Sequence, residues 1–289
     1  MKNKKIKTPL PLRVVSWTFP KVEAISQWLA NRWFVNLFFT PVRYKTPASE
    51  IEIMESASKH EVRIADNNVQ VYEWGEGKPV LFVHGWMGRG TQFKRFVPIF
   101  NAAGYKVVSF DAIGHGKSEG KKSHIMYFAE TVNALADKYD FHSVVGHSIG
   151  GVAVMHALIK DRFTDKLVMI GSPTMADHII GAFLRSLRAS KRVLTYFNQY
   201  VESKFGKSFD EYSAKHIVKD LDDVDILLIH DEDDREVTIE NPYVILNKYP
   251  QSKLMTTKGL GHTRILKDEA VIDACLQFTE KKKELISVA

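Results

Sequence analysis

Residues 141–151 read Phe-His-Ser-Val-Val-Gly-His-Ser-Ile-Gly-Gly, and the fold is decided by how this stretch is built. Ser143 to Val145 is a short β-branched run, Val152 to Ile159 forms helix readily, and nothing is left between them for a loop. The reading is strand, sharp turn, helix. Gly146 and Gly150 flank Ser148 as Gly-x-Ser-x-Gly, and the spacing has a steric reason: a serine held in a strained turn needs neighbours with little or no side chain. Such a turn lifts the Ser148 hydroxyl above the sheet, beside a helix N-terminus whose free N–H groups favour developing negative charge. The same residues would also suit a plain strand-to-helix turn with Ser148 as an N-cap, so the rest of the chain has to decide.

Outward from this turn the chain alternates between strand and helix. Apolar runs at Val80–Val83, Lys106–Phe110, Ser143–Val145, Leu167–Ile170, Ile226–Ile229 and Lys253–Thr256 predict six strands. Helical patterns follow at about 91–102, 123–138, 149–160, 239–248 and 264–281. Six apolar strands with helical crossovers imply a mainly parallel sheet covered on both faces, an α/β fold. Before them, His60-Glu-Val-Arg-Ile64 and Val69-Gln-Val-Tyr72 alternate with period two around Asp66-Asn67-Asn68, which predicts an antiparallel hairpin at one edge. The interval 175–223 breaks the alternation. Its apolar residues, Phe183, Leu184, Leu187, Val193, Leu194, Tyr196, Phe197 and Tyr200, are spaced for one or two helices, so it reads as a helical cap inserted between core strands.

The net charge of +6 is uneven: residues 1–47 hold nine Lys or Arg against Glu23 alone, which leaves the remainder slightly acidic. Basic and aromatic residues do not interleave in a nucleic-acid-binding motif, which argues against a nucleic-acid partner. The first ten residues read as a solvated basic tail. From Val22 to Phe39, Val22, Ile25, Trp28, Leu29, Trp33 and Leu37 recur near helical spacing, predicting one amphipathic helix that docks on the body of the protein and buries its tryptophans. The competing expectation is peripheral contact with an anionic membrane surface. No run of about twenty apolar residues exists to span one. Residues 1–50 are thus a basic extension and 51–289 the main domain with its cap. One cysteine, Cys275, permits no internal disulfide and suits a reducing, cytoplasmic location.

The remaining motifs fall at C-terminal ends of strands, where open α/β sheets bind ligands. His84-Gly-Trp-Met-Gly88 follows the first parallel strand; its glycine lets the Trp86 N–H turn inward, and the Ile149 N–H supplies a second donor, together an oxyanion hole. His230-Asp-Glu-Asp-Asp-Arg-Glu-Val237 offers an acid, and Gly259-Leu-Gly-His262 a histidine set between a tight turn and a helix. Ser148, then an acid, then His262 is the chain order of a serine-nucleophile triad. Spacing for an EF-hand or a phosphate loop is absent.

With these motifs, residues 59–281 resemble the α/β-hydrolase superfamily, in particular small capped bacterial serine esterase-like members. Gly146-His-Ser-Ile-Gly-Gly151 matches the family elbow and His84-Gly-Trp86 its oxyanion segment, while Asp111-Ala-Ile-Gly-His-Gly-Lys-Ser118 looks like a turn that many members carry for structural reasons. The family's usual spacing before a valine, here Val237, selects Asp234 as the acid; Asp231 stands where a glycine is usual, so Asp233 stays a second candidate. The resemblance implies hydrolysis of an ester or related acyl bond with no cofactor and no metal, on a small acyl substrate that the cap aromatics suggest is apolar. A lipase or thioesterase working at a membrane surface, and a non-catalytic hydrolase-like binder of a small ligand, are the alternatives.

Overall fold

A computed structural model describes residues 10–281, and the predicted basic tail, apart from its last residue, lies outside them. The described residues divide into two compact units, one of residues 10–40 with 175–213 and one of residues 41–174 with 214–281.

The larger unit is built on eight strands: β1 (Ser58–Ile64), β2 (Asn67–Trp74), β3 (Lys78–Val83), β4 (Tyr105–Phe110), β5 (Ser143–His147), β6 (Lys166–Ile170), β7 (Asp225–Asp231) and β8 (Lys253–Thr257). Their order is β1-β2-β4-β3-β5-β6-β7-β8. The β1–β2 hairpin and its pairing to β4 are antiparallel; every other pairing is parallel. The six strands and the edge hairpin therefore stand where the sequence predicts them, and the unit has the α/β-hydrolase fold.

Apolar side chains alternate between two covering layers. Leu81, Val83, Val108, Val144, Leu167 and Leu228 share one core with Phe128, Val132 and Val154. Val80, Phe82, Val107, Val145, Val168 and Ile229 share the other with Phe96, Phe100, Val271 and Cys275. Both faces are dry, which is why these strands read as unbroken apolar runs. Burial pushes the Cys275 thiol up, so it stays a neutral core side chain.

The helices of the smaller unit are α1 (Leu10–Ile25), α2 (Gln27–Phe38), α7 (Ala176–Leu187) and α8 (Lys191–Phe205). Those of the larger are α3 (Ala48–Glu55), α4 (Phe96–Ala102), α5 (Ile125–Ala136), α6 (Ile149–Lys160), α9 (Ala214–Ile217), α10 (Glu240–Lys248), α11 (Gly261–Arg264) and α12 (Glu269–Glu280). In the smaller unit α1 packs on α7 and α2 on α8. Phe34 meets Phe19, Phe183 and Phe197 edge-on, at centroid separations of 6.2, 5.1 and 5.7 Å, a geometry that adds to simple area burial. Tyr196 and Tyr200 pack against the same cluster.

The amphipathic segment differs from its prediction in two ways. It is two helices, because Ser26 leaves the helical conformation (φ −152°) and its hydroxyl accepts the Leu29 N–H at 3.3 Å as an N-cap. Phenylalanines make most of the buried face: Phe19 and Phe34 are fully enclosed, and of the two tryptophans in the predicted stripe Trp33 stacks on Phe19 at 5.3 Å whereas Trp28 is 61% exposed.

Candidate active site

Ser148 sits between β5 and α6 with φ 53° and ψ −129°, a conformation costly for a residue with a side chain. Two neighbours show why the flanking residues are glycine. A Cβ on Gly146 would lie 2.4 Å from the Gly151 Cα, and one on Gly150 would lie 2.4 Å from the Val83 carbonyl oxygen. The strand, the turn and the helix close on each other too tightly for any methyl group, and the tight closure aims Ser148 upward. Its backbone N–H donates to the Ile170 carbonyl at 2.8 Å, tying the elbow to the end of β6.

His262 reaches this serine from the turn after β8. Its Nε2 lies 3.1 Å from the Ser148 Oγ, and its Nδ1 lies 2.7 Å from the Asp234 Oδ2. The other carboxylate oxygen of Asp234 accepts the N–H groups of Glu236 at 2.8 Å and Val237 at 3.0 Å. Burial pushes the Asp234 carboxyl up, but His262 and these two N–H groups outweigh it and hold it below the usual carboxylate range. An ionised Asp234 fixes His262 as the Nδ1–H tautomer, leaving Nε2 free to accept from the hydroxyl. Asp233 is exposed and places only its backbone N–H in the turn, on the Asp231 Oδ1 at 3.0 Å. Of the two sequence candidates, the structure brings Asp234 to the histidine.

The segment after β3 lies directly against the serine: a Cβ on Gly85 would stand 2.8 Å from the Ser148 Cβ. Trp86 follows that glycine, and Ile149 opens α6, where an N–H has no carbonyl one turn earlier to meet. His84 braces the segment, its Nδ1 2.7 Å from the Gly85 carbonyl and its Nε2 accepting the Ala112 N–H at 2.9 Å. Complete burial pushes its imidazole down to about 4, so it stays neutral.

The profile of a family described as serine aminopeptidase, S33, matches residues 77–260, more than half of the chain. The chain belongs to this α/β-hydrolase family. The chain is 30% identical over 138 residues to a human serine hydrolase-like protein, a match covering 45% of this chain and 64% of the human one. A second human protein of the same kind is matched over 41% of its length, so less than two thirds of either relative is represented. Among solved structures, an esterase from Exiguobacterium antarcticum shares the fold at a TM-score of 0.59 and 17% identity, over 78% of this chain and all of that one. A bromoperoxidase from Bacillus anthracis does so at 0.60 and 20%, with the same coverage.

Three further residues brace the site in roles that no motif in the sequence gave them. Asp231, fully buried at the end of β7, accepts the Leu260 N–H at 3.0 Å, the Gly261 N–H at 2.9 Å and the Thr257 hydroxyl at 2.8 Å. It thus holds the turn that carries His262. His147 does so from the elbow, with Nε2 2.9 Å from the His262 carbonyl oxygen and Nδ1 3.3 Å from the Gln92 amide nitrogen. Burial, helped by His262, pushes the His147 imidazole down to about 3. Its neutral form donates through Nε2 and accepts through Nδ1, matching both partners. Asp111 braces the loop before α4, accepting the Tyr72 hydroxyl at 2.9 Å, the Gly90 N–H at 2.7 Å and the Lys117 N–H at 2.7 Å. Asp231 had one signal in the sequence, its departure from the family's glycine; His147 had none.

Proposed function

We propose that the chain is a serine hydrolase that cleaves a carboxylic ester or related acyl bond through an acyl-enzyme on Ser148. The observation that carries this reading is the His262 ring bridging the Asp234 carboxylate and the Ser148 hydroxyl at hydrogen-bond distance on both sides. Ser148, Asp234 and His262 act as the catalytic groups. His262 takes the Ser148 proton as the hydroxyl oxygen attacks the acyl carbon, and the Trp86 and Ile149 N–H groups stabilise the oxyanion. The imidazolium, steadied by Asp234, then gives that proton to the leaving group. A water deprotonated by His262 attacks the acyl-enzyme, and the proton returns to Ser148 as the acid departs. Each such N–H donor is worth about 3 kcal/mol of transition-state stabilisation.

The substrate in this reading is a small acyl compound with an apolar acyl part. The cap aromatics that suggested it serve the core of their own unit, and the support now comes from Met87, an apolar side chain 39% exposed two residues after the Gly85 that lies against the serine. A single, fully buried cysteine accords with a cytoplasmic site of action. No helix among the described residues is long and apolar enough to cross a membrane.

The test is a fluorophosphonate probe applied to the full-length protein, to Ser148→Ala and to His262→Ala, with the labelled peptide located by mass spectrometry. Labelling at Ser148 that requires His262 supports the reading; an unlabelled, folded protein would leave the non-catalytic binder. Turnover of p-nitrophenyl esters of graded chain length, beside thioesters and aminoacyl p-nitroanilides, then ranks esterase, thioesterase and the peptidase chemistry named for the matching family.

A further inference from the structure

The α1–α2 pair buries one face in the aromatic core of its unit and leaves the opposite face bare. Val14, Trp17, Lys21 and Ile25 follow one another on α1 at steps of three or four residues, the spacing of one helix face, and beyond the break at Ser26 the pair Trp28 and Arg32 repeats that step on α2. Trp17 and Trp28 are more than half exposed, and Ile25 is 85% exposed. A cation lies over each tryptophan: the Lys21 ammonium is 2.9 Å from the Trp17 ring centroid, and the Arg32 guanidinium 4.8 Å from that of Trp28. The one acid of these helices, Glu23, is taken up by the Ser190 hydroxyl and N–H. Beside Trp17, Leu12 and Val14, an open groove of about 700 Å³ is lined by Arg13, Arg185 and Arg188.

Large apolar side chains alternating with unopposed cations fit a surface that offers hydrocarbon and negative charge together. A second copy of the chain fits poorly, since a two-fold pairing of this face would set its cations against themselves. A lipid leaflet with anionic headgroups fits both requirements, and Trp with Lys or Arg is the composition that settles at its boundary. We propose that this face of α1 and α2 docks on an anionic phospholipid surface. Trp17, Ile25 and Trp28 enter the headgroup–acyl boundary, and Arg13, Arg185 and Arg188 receive lipid phosphate. The contact is on the surface and not across it, in keeping with the shortness of both helices. The proposal stands apart from the hydrolysis reading, because it is measured without turnover.

The full-length protein is sedimented with vesicles of phosphatidylcholine alone and of phosphatidylcholine with phosphatidylglycerol, at low and high salt, while brominated lipid reports quenching of tryptophan emission. Binding to the anionic vesicles alone, weakened by salt and accompanied by quenching, is expected. Trp17→Ala with Trp28→Ala should lower the vesicle affinity about tenfold and abolish the quenching, and Arg185→Glu with Arg188→Glu should lower the affinity similarly. These side chains are exposed, so circular dichroism should match the parent; a variant that has lost its fold is replaced by Trp17→Gln with Trp28→Gln. Absence of sedimentation at low salt overturns the proposal. So does equal sedimentation of parent and variants without quenching, which would assign binding to the lysines of the first seven residues. A doubled mass in solution that the tryptophan variants abolish overturns it in favour of a second copy.

Discussion

The Asp231 carboxylate holds the Gly261 N–H at 2.9 Å, one residue before His262. Its second oxygen takes the Leu260 N–H and the Thr257 hydroxyl, and those bonds hold the carboxyl below its usual range although burial pushes it up. A charged acceptor thus does for the histidine turn what a glycine at the same place could not. Asp231→Gly should lower kcat by about tenfold or more with KM little changed, and should cost about 1–3 kcal/mol of stability, because four donors, the Asp233 N–H among them, lose their partner. Steady-state kinetics and urea denaturation check both parts; a kcat equal to that of the parent would show that the turn holds itself.

The acid assignment separates cleanly by mutation. Asp234→Asn should reduce turnover by about 10⁴-fold by favouring the wrong imidazole tautomer. Asp233→Asn, at an exposed side chain, should stay within about twofold. Reversal of that order would move the role to Asp233.

Strain at the elbow is measurable without any substrate. Ser148→Ala and Ser148→Gly both remove the hydroxyl from His262, but only glycine accepts a φ of 53° without penalty. After allowing for the greater freedom of glycine in the unfolded chain, Ser148→Gly should be more stable than Ser148→Ala by about 1 kcal/mol. For a chain of this size that is roughly 2–4 °C in melting temperature.

Buried imidazoles should make the protein sensitive to mild acid. His84 is pushed down to about 4, and His115 and His147 to about 3, from the ordinary 6.5, in each case chiefly by burial. Between those values the unfolded chain binds protons that the folded chain refuses. Stability is therefore complete above about pH 6.5 and falls as the pH drops, by up to about 1.4 kcal/mol per pH unit for each group. Urea midpoints at pH 7, 6 and 5 read the slope. His147→Gln, which keeps a donor near the His262 carbonyl, should remove one group's share of it.

The sheet could be read from the chain because both of its faces are covered: alternate residues go to different cores, yet all are apolar, so each strand stands out as an uninterrupted run. Ser148 and His262 were legible for a related reason, since each sits beside glycines that a sharp turn requires. Asp234 and Asp233 could not be separated by composition. Adjacent carboxylates in one turn differ only in which backbone N–H groups and which imidazole they face. Asp231 and His147 act on the backbone of segments about 30 and 115 residues away, a distance that no local pattern records. Of the stripe read in segment 22–39, Val22, Trp33 and Leu37 meet the core while Ile25, Trp28 and Leu29 stay exposed, because periodicity across 22–39 does not register the helix break at Ser26. Its Ser26 was a readable break, a hydroxyl residue standing before a helical run.

The smaller unit draws its helices from both sides of a segment of about 130 residues, Pro41 to Thr174. During synthesis α1 and α2 therefore leave the ribosome well before α7 and α8 exist, and Phe34, though it can already meet Phe19, waits for the Phe183 and Phe197 rings. At about 5–20 residues per second the delay is roughly seven to thirty seconds. For that interval the nascent chain carries two apolar helix faces and a basic leader, the kind of exposed segment that chaperones hold.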